Sequence, residues 1–562
     1  MLIDKLANMC YNNNSKRQEN KNPLVKSITQ NAVNVKYKIR LDKTAVKSKI
    51  DMENSRTYNS FKNLISGMTS KIVTLLLNFG LRTIFIWQLG NDYLSVNGLY
   101  SNILGMLSLA ELGFGTAMVY SMYQPIAENN QRKLSALLKL YQKVYFVIGC
   151  VIYIIGLCLI PFLDYLIKNP PDIPHLTFYY ILFLTNSAIS YWFQGYKRSI
   201  LIADQKQYIS TNLNTALNIT RSILQIVALM LFHSFTLYLL IQLASTITEN
   251  LLTARIANKN YPALNTKYED KLSPKERKKI AQDVKSLAIT RIGHIALNST
   301  DNIIISAIIG ISWIGILSNY SLITDCIVGV LCLFTGAITA SLGNYFAEKS
   351  PDEGYLLFKR VEFVNSWLYG ICSIALITLL NPFITLWLGE EYLLNEYIVV
   401  AVVINFFVQG YMNTLWTFRS ALGLFSQGWY RPLIVAAINI GLSIWLGTCW
   451  GVFGVLISTF ISRAAVNIWF DPLIIHKYGF NRSVRPFFIS YLSRVMQILL
   501  ILIVVQTIKK VLLHNGVSIY NFALLTILTA LISLFAFWIF NHKKDEYQYC
   551  KSLLYRILPH KS

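Results

Sequence analysis

GNDYLSVNGLYS at residues 90–101 and GISWIGILSNYS at residues 310–321 open on the same glycine, close on the same Tyr-Ser pair and lie 220 positions apart. The relation extends outward from them. At the same offset Ala127-Glu128 meets Ala347-Glu348, and one position further Pro161-Phe162 meets Pro382-Phe383, Arg198-Ser199 meets Arg419-Ser420 and Asn218 meets Asn439. Several of these pairs fall in short loops, where shared apolar composition cannot create a match. A repeat of this period means two copies of one structural unit.

The unit is built for lipid. Of 562 residues 54% are hydrophobic and only 14% charged, with a mean hydropathy of +0.44; a soluble multidomain enzyme does not have this balance. Fourteen apolar runs of about 20 residues, the length that crosses a bilayer, are centred near residues 78, 110, 152, 187, 221, 245, 297, 329, 370, 408, 440, 461, 498 and 530. Each copy of the repeat holds six. Because six is even, both copies start on the same side and run in the same sense, so the expected fold is all-α: a polytopic membrane protein of about 14 transmembrane helices in two six-helix lobes plus two C-terminal helices. The expected division is a basic tail over 1–62, an N-lobe over 63–255, a basic linker over 256–284, a C-lobe over 285–480, helices 13 and 14 over 481–541 and a tail over 542–562.

Charge supplies the orientation. Of 51 Lys and Arg, 42 lie in the termini and alternate loops, against three (Lys168, Lys509 and Lys510) in the remaining loops. This positive-inside pattern predicts that both termini and the linker are cytoplasmic, and it accounts for most of the net charge of +23 without a nucleic-acid partner. The first 62 residues carry thirteen Lys and Arg and no long apolar run. Met52, directly ahead of the first span, is a candidate start site, so residues 2–51 are expected to be dispensable; a basic tail drawn to anionic headgroups is the alternative. The eight cysteines are scattered without metal-ligand spacing and read as small core residues.

Polar residues concentrate on single faces, three, four or seven positions apart. The seventh span carries Arg291, His294, Asn298 and Asp301; the first Thr74, Asn78 and Arg82; the second Asn97, Ser101, Ser108 and Glu111; the fifth Thr211, Asn214, Asn218, Arg221 and Gln225; the eighth Ser318, Ser321 and Asp325. One charged residue at the bilayer centre costs about 2.5 to 3.5 kcal/mol on insertion scales, so such stripes line a wet cavity or pair with one another as interhelical glue. The expected cavity cations are Arg82, Arg221 and Arg291, graded in depth along the membrane normal. Asn78, Glu111, Asn218, His294, Asn298, Asp301 and Asp325 are the expected polar and charge-balancing groups, with Glu111, Asp301 and Asp325 the nearest acids to the arginines. No Walker loop, GxSxG elbow or HExxH helix is present, so ATP-driven pumping and these hydrolytic chemistries have no basis in the sequence, and no catalytic residue, metal or cofactor is expected.

ILGMLSLAELGFGTAMVYSMYQPIAE (103–128), WTFRSALGLFSQGWYRPL (416–433) and WFDPLIIHKY (469–478) resemble the polysaccharide transport branch of the multidrug/oligosaccharidyl-lipid/polysaccharide exporter superfamily, the Wzx-like flippases, over about residues 58–540. The resemblance implies a MATE-like fold and an alternating-access flippase of the bacterial cytoplasmic membrane. It also implies the substrate, an undecaprenyl-pyrophosphate-linked oligosaccharide destined for O-antigen, capsule or exopolysaccharide, and as further partners the polymerase and glycosyltransferases of the same pathway. A cation-coupled multidrug exporter of the same superfamily, driven by an H+ or Na+ gradient, is one alternative. A membrane glycan polymerase or ligase is another, and the short connections on the outer side leave it little room.

Overall fold

The computed structural model describes residues 23–557 except 112, 262–271, 349, 425–426, 429 and 515, with side chains at 59, 62–108, 111, 113–261, 272–282, 284, 299–332, 342, 346, 350–424, 427–428, 430–514 and 516–552. The chain divides into two compact units, Met1–Ser66, helical from Pro23, and Gly67–Ser562. The second carries the site.

Among the described residues the regular structure is helical: α1 (Pro23–Leu107), α2 (Phe114–Ala127), α3 (Gln131–Leu159), α4 (Leu163–Leu166), α5 (Leu176–Trp192), α6 (Arg198–Ala203), α7 (Gln207–Phe232), α8 (Phe235–Asn260), α9 (Pro274–Ile304), α10 (Ser312–Glu348), α11 (Pro351–Trp387), α12 (Glu396–Ala421), α13 (Arg431–Ile474), α14 (Arg485–Leu512), α15 (Ile519–Asn541) and α16 (Asp545–Ile557), with short 3-10 and π turns between. Among the described residues ten segments are long and apolar enough to cross a membrane. Two of them, Lys62–Leu107 and Arg431–Gly479, are each broken at a glycine, Gly90 (φ 81°) and Gly451 (φ 61°), and so hold two crossings apiece. With α5 and α9 these make up the fourteen spans expected, and the chain is a multi-pass membrane protein.

The repeat is written into the backbone. Gly90 and Gly310, 220 apart, turn the chain at the ends of the first and seventh spans with φ of 81° and 150°, a region that strains any residue with a Cβ. At the same offset Asn130 and Ser350 cap α3 and α11, their side-chain oxygens accepting from Lys133 N–H (3.0 Å) and Glu353 N–H (3.4 Å). Left-handed Asn169 and Gly389, and the residues His175 and Asn395 ahead of α5 and α12, recur likewise. Fully buried Tyr100 donates to Leu176 O (3.2 Å), and Tyr320, its counterpart, accepts from Leu394 N–H (3.0 Å), so each tyrosine ties its span to the start of the span two helices on.

The copies meet where the pseudo-two-fold axis requires. Gly315 N–H donates to the hydroxyl of Ser95, its own counterpart, at 3.1 Å, and Asn91 Nδ2 donates to Ser312 O at 3.0 Å. A Cβ on Gly315 would lie 2.2 Å from Asn91 Oδ1, so this close approach needs glycine. Two further contacts join the copies, Ser306 Oγ to Leu166 O (2.7 Å) and Trp387 Nε1 to Thr83 Oγ1 (2.8 Å).

Some expectations shift. The second span is not one straight run centred near 110: it is helical to Leu107, passes through a 3-10 turn at Ser108–Glu111 and resumes as α2 behind left-handed Gly113 (φ 76°). The basic linker is helical at both edges, α8 reaching Asn260 and α9 starting at Pro274 behind a Ser273/Glu276 capping box; residues 262–271 lie outside the described ones. The C-terminal stretch read as a tail contains α16, held to α11 by Lys359–Glu546 (2.9 Å) and by Arg360 over the Tyr549 ring (3.6 Å). Buried Arg494 of α14 donates to Glu362 of α11 at 2.6 Å, fastening the last helices to the C-lobe.

Candidate functional site

Helical spacing places Asn78, Arg82 and Phe85 on one side of α1, and the Gly90 turn folds Leu94 and Asn97 back beside them. Tyr238 of α8 and Leu322 of α10 complete a cavity of about 200 Å³ that receives residues from both lobes. Arg82 reaches across the lobe boundary, its Nη1 donating to Ser318 Oγ at 2.7 Å and lying 3.5 Å from Asn319 Oδ1. Arg221 of α7 is half-buried, and its Nε has no hydrogen-bond partner among the described residues. Tyr238 is within electrostatic reach of both arginines. Counting helical rise back along each helix, Arg82 lies about 12 Å from Gly90, Arg221 about 18 Å from His233 and Arg291 about 28 Å from Gly310.

The remaining sequence-derived residues separate. Asn218 donates to Asn214 (2.8 Å) and Asn214 to Glu249 (2.7 Å), which also pairs with Arg198 at 3.3 Å. Gln225 donates to Tyr238 O (3.1 Å) as interhelical glue. Arg291, His294 and Asn298 belong to α9, but their side chains lie outside the described residues. Glu111, Asp301 and Asp325, the acids expected nearest the arginines, form no ion pair with Arg82 or Arg221 among the described residues and have other partners. Glu111 accepts from Tyr145 (2.9 Å), itself bonded by Tyr141 (3.1 Å), inside the N-lobe. Asp301 faces α13, where Thr459 donates to it at 2.6 Å, Asn439 donates to Thr459 at 3.0 Å and Arg463 is the nearby cation. Asp325 is exposed and faces Lys71 of α1, whose aliphatic chain lies against Gly329: a Cβ there would be 2.4 Å from Lys71 Cε.

Sequence reasoning therefore missed Lys71, Tyr238, Glu249 and Arg463. Lys71 had a signal, since the 220 offset sets it in register with Arg291. Glu249 had one too: Arg198 and Arg419 are repeat partners, and their acids, Glu249 and Asp471, stand 51 and 52 positions downstream of them. Tyr238 had none, being one tyrosine among 33.

At the basic face, Glu276 of the α9 cap lies 2.7 Å from Lys133. That ammonium, with the Ser273 cap, holds its carboxyl at about 2.

Residues 70–245 match the MatE family. No curated protein sequence matches the chain. Its fold is that of the inward-facing multidrug resistance MATE family transporter of the MOP superfamily (15% identity, 74% of this chain and 98% of that one, TM-score 0.58). The lipid II flippase MurJ, in its inward closed conformation, is similar over 85% of this chain and 98% of its own (15% identity, TM-score 0.58). The Vibrio cholerae MATE transporter VcmN matches over 77% and 99% (13% identity, TM-score 0.52).

Proposed function

We propose that this chain is an alternating-access flippase that carries an undecaprenyl-pyrophosphate-linked oligosaccharide across the bacterial cytoplasmic membrane, with both termini cytoplasmic, for surface polysaccharide assembly. The observation that carries the reading is the cavity beside Arg82: Arg82 lines it, Arg221 is within electrostatic reach of its Tyr238, and among the described residues no carboxylate lines it. A guanidinium keeps its proton in any site and grips phosphate through a planar fork, so a concentrated anion finds its counter-charge where the membrane is most hostile. A cationic drug would meet repulsion there, which sets the multidrug alternative second.

Asp301 suits the coupling role. It is an acid set among hydroxyl and amide groups of α13 beside Arg463, away from that cavity, and proton or Na+ exchange there would bias the C-lobe without competing for substrate.

The test is complementation of a flippase-deficient strain. Arg82→Ala and Arg221→Ala are expected to cut surface glycan at least tenfold at normal membrane abundance, with Lys at either position retaining more. Wild-type glycan from both alanine variants would remove the reading. Orientation is checked by labelling: Asp92→Cys, Ser312→Cys and Glu391→Cys should react from outside, and Arg132→Cys, Lys275→Cys and Lys477→Cys should not.

A further inference from the structure

The two seams between the lobes are equivalent in backbone and opposite in chemistry. Along one, antiparallel α1 and α10 are joined by Arg82 to Ser318 and Asn319, and further along by Lys71 facing Asp325. At the positions 220 away, the other seam has Asn302 for Arg82, Gly98 for Ser318 and Leu99 for Asn319. Gly98 also sits against Ile314 of α10, so close that a Cβ would lie 2.9 Å from Ile314 Cγ2, and Leu99 is fully buried. The Gly98–Ile314 contact is apolar packing that no solute can replace, whereas the α1–α10 seam is closed at Arg82 by donors and acceptors that an anion can.

We propose that Arg82 is a ligand-released latch: a phosphate group entering the cavity takes the guanidinium from Ser318 and Asn319, and the α1–α10 seam parts while the Gly98–Ile314 contact between the second span and α10 acts as the hinge. This deepens the flippase reading and rests on it for the identity of the anion. The exchange is favourable because Ser318 offers Arg82 a single neutral acceptor, whereas phosphate brings an opposite charge and two oxygens that the guanidinium fork can hold at once. The hydroxyl is not stranded on release: Ser318 Oγ already lies 2.7 Å from Gly315 O and can donate to it. Asn319 is fully buried and its Nδ2 has no partner among the described residues, so its side chain is imperfectly satisfied while the latch is shut. Ligand binding is thereby coupled to the contacts near the axis, since Gly315, whose N–H is held by Ser95, stands one turn before Ser318.

Hydrogen exchange on the full chain in lipid nanodiscs tests this, read on peptides covering residues 88–101 and 308–322, with and without undecaprenyl pyrophosphate in the bilayer or inorganic pyrophosphate in solution. In wild type, exchange in both peptides rises on adding the anion. A response to both probes makes the phosphate group itself the trigger, and a response to the lipid alone places the source in the membrane; either supports the latch. Ser318→Ala is expected to raise anion-free exchange about fivefold, the effect of one net hydrogen bond on local opening, and to shrink the further rise. Arg82→Ala should abolish the response, while Arg82→Lys keeps a reduced one. The latch is overturned if Ser318→Ala exchanges at the wild-type rate without anion, or if neither probe changes wild-type exchange. Complementation on the same variants separates the two claims: wild type that restores glycan without any exchange response removes the latch and leaves the flippase, and a pyrophosphate response in a protein that restores no glycan removes the flippase reading and leaves the latch.

Discussion

The two lobes share a backbone plan, yet at the linker end of the bundle they use one ion pair to opposite ends. In the C-lobe, Asp471 of α13 is fully buried between Arg419 (2.9 Å) and Arg431 (2.6 Å), and Arg431 also stacks on Phe470. In the N-lobe the counterpart is Glu249, which accepts from both Arg198 and the amide of Asn214, and the Arg198 and Glu249 side chains remain accessible at 41% and 23%. The first arrangement is a rivet and the second is open to solvent. The same contrast runs through the interior: the C-lobe acids Asp301 and Glu362 are engaged within it, whereas the N-lobe places Arg82 and Arg221 beside the cavity. The C-lobe is thus the braced body and the N-lobe face the chemically available one.

The largest break in that comparison should come from Asp471→Ala, which leaves two buried guanidinium groups without their acid at a cost of about 3–5 kcal/mol. Heating in detergent followed by size-exclusion is expected to show a large loss of folded protein, while Glu249→Ala shows little. Next is Arg494→Ala, which strands Glu362 between α11 and α14. A loss of the same kind, confined to faster exchange in α14 and α15, is expected, and Glu362→Gln with Arg494→Met should recover much of it because a matched apolar or neutral pair removes the unpaired charge.

Third is Glu249→Gln. It should leave stability nearly unchanged and alter turnover in the complementation strain several-fold, because it changes the charge of an accessible network reaching to Asn218 without opening a core. Equal and large effects of Glu249→Gln and Asp471→Asn on stability would erase the contrast between the lobes.

The smallest effect belongs to Glu276. Its carboxyl is held below the ordinary value, so its contribution is present above about 4.5 and is lost as pH falls from there toward about 2. Between pH 5 and 8 its link to Lys133 should not respond to pH, and Glu276→Gln should cost about 0.5 kcal/mol or less after solvent screening, read as faster exchange at the start of α9 only.

What could be read in the sequence and what could not divides by physical range. Span number and the repeat were legible because bilayer thickness and backbone satisfaction in lipid act on contiguous residues. Arg82 was legible as a residue that needs a reason, and Ser318 as part of a stripe, yet nothing in either stretch says that they touch. The acids show the limit most plainly: Glu111, Asp301 and Asp325 were the nearest candidates for the arginines by elimination, but Tyr145, Thr459 and Lys71 claim them, and each of these partners lies on another helix.

By itself the sequence determined that this chain crosses the membrane repeatedly in two like-facing copies and that it carries cations lipid would not tolerate, since those properties follow from local hydropathy, periodicity and spacing. Only the tertiary structure decided which cation is shared between the copies and which acid is buried as a rivet. Identical offsets bring identical backbone positions together, but the partner a charge finds is set by packing across hundreds of residues, where Arg82 and Gly98 both meet α10, one through Ser318 and the other through Ile314.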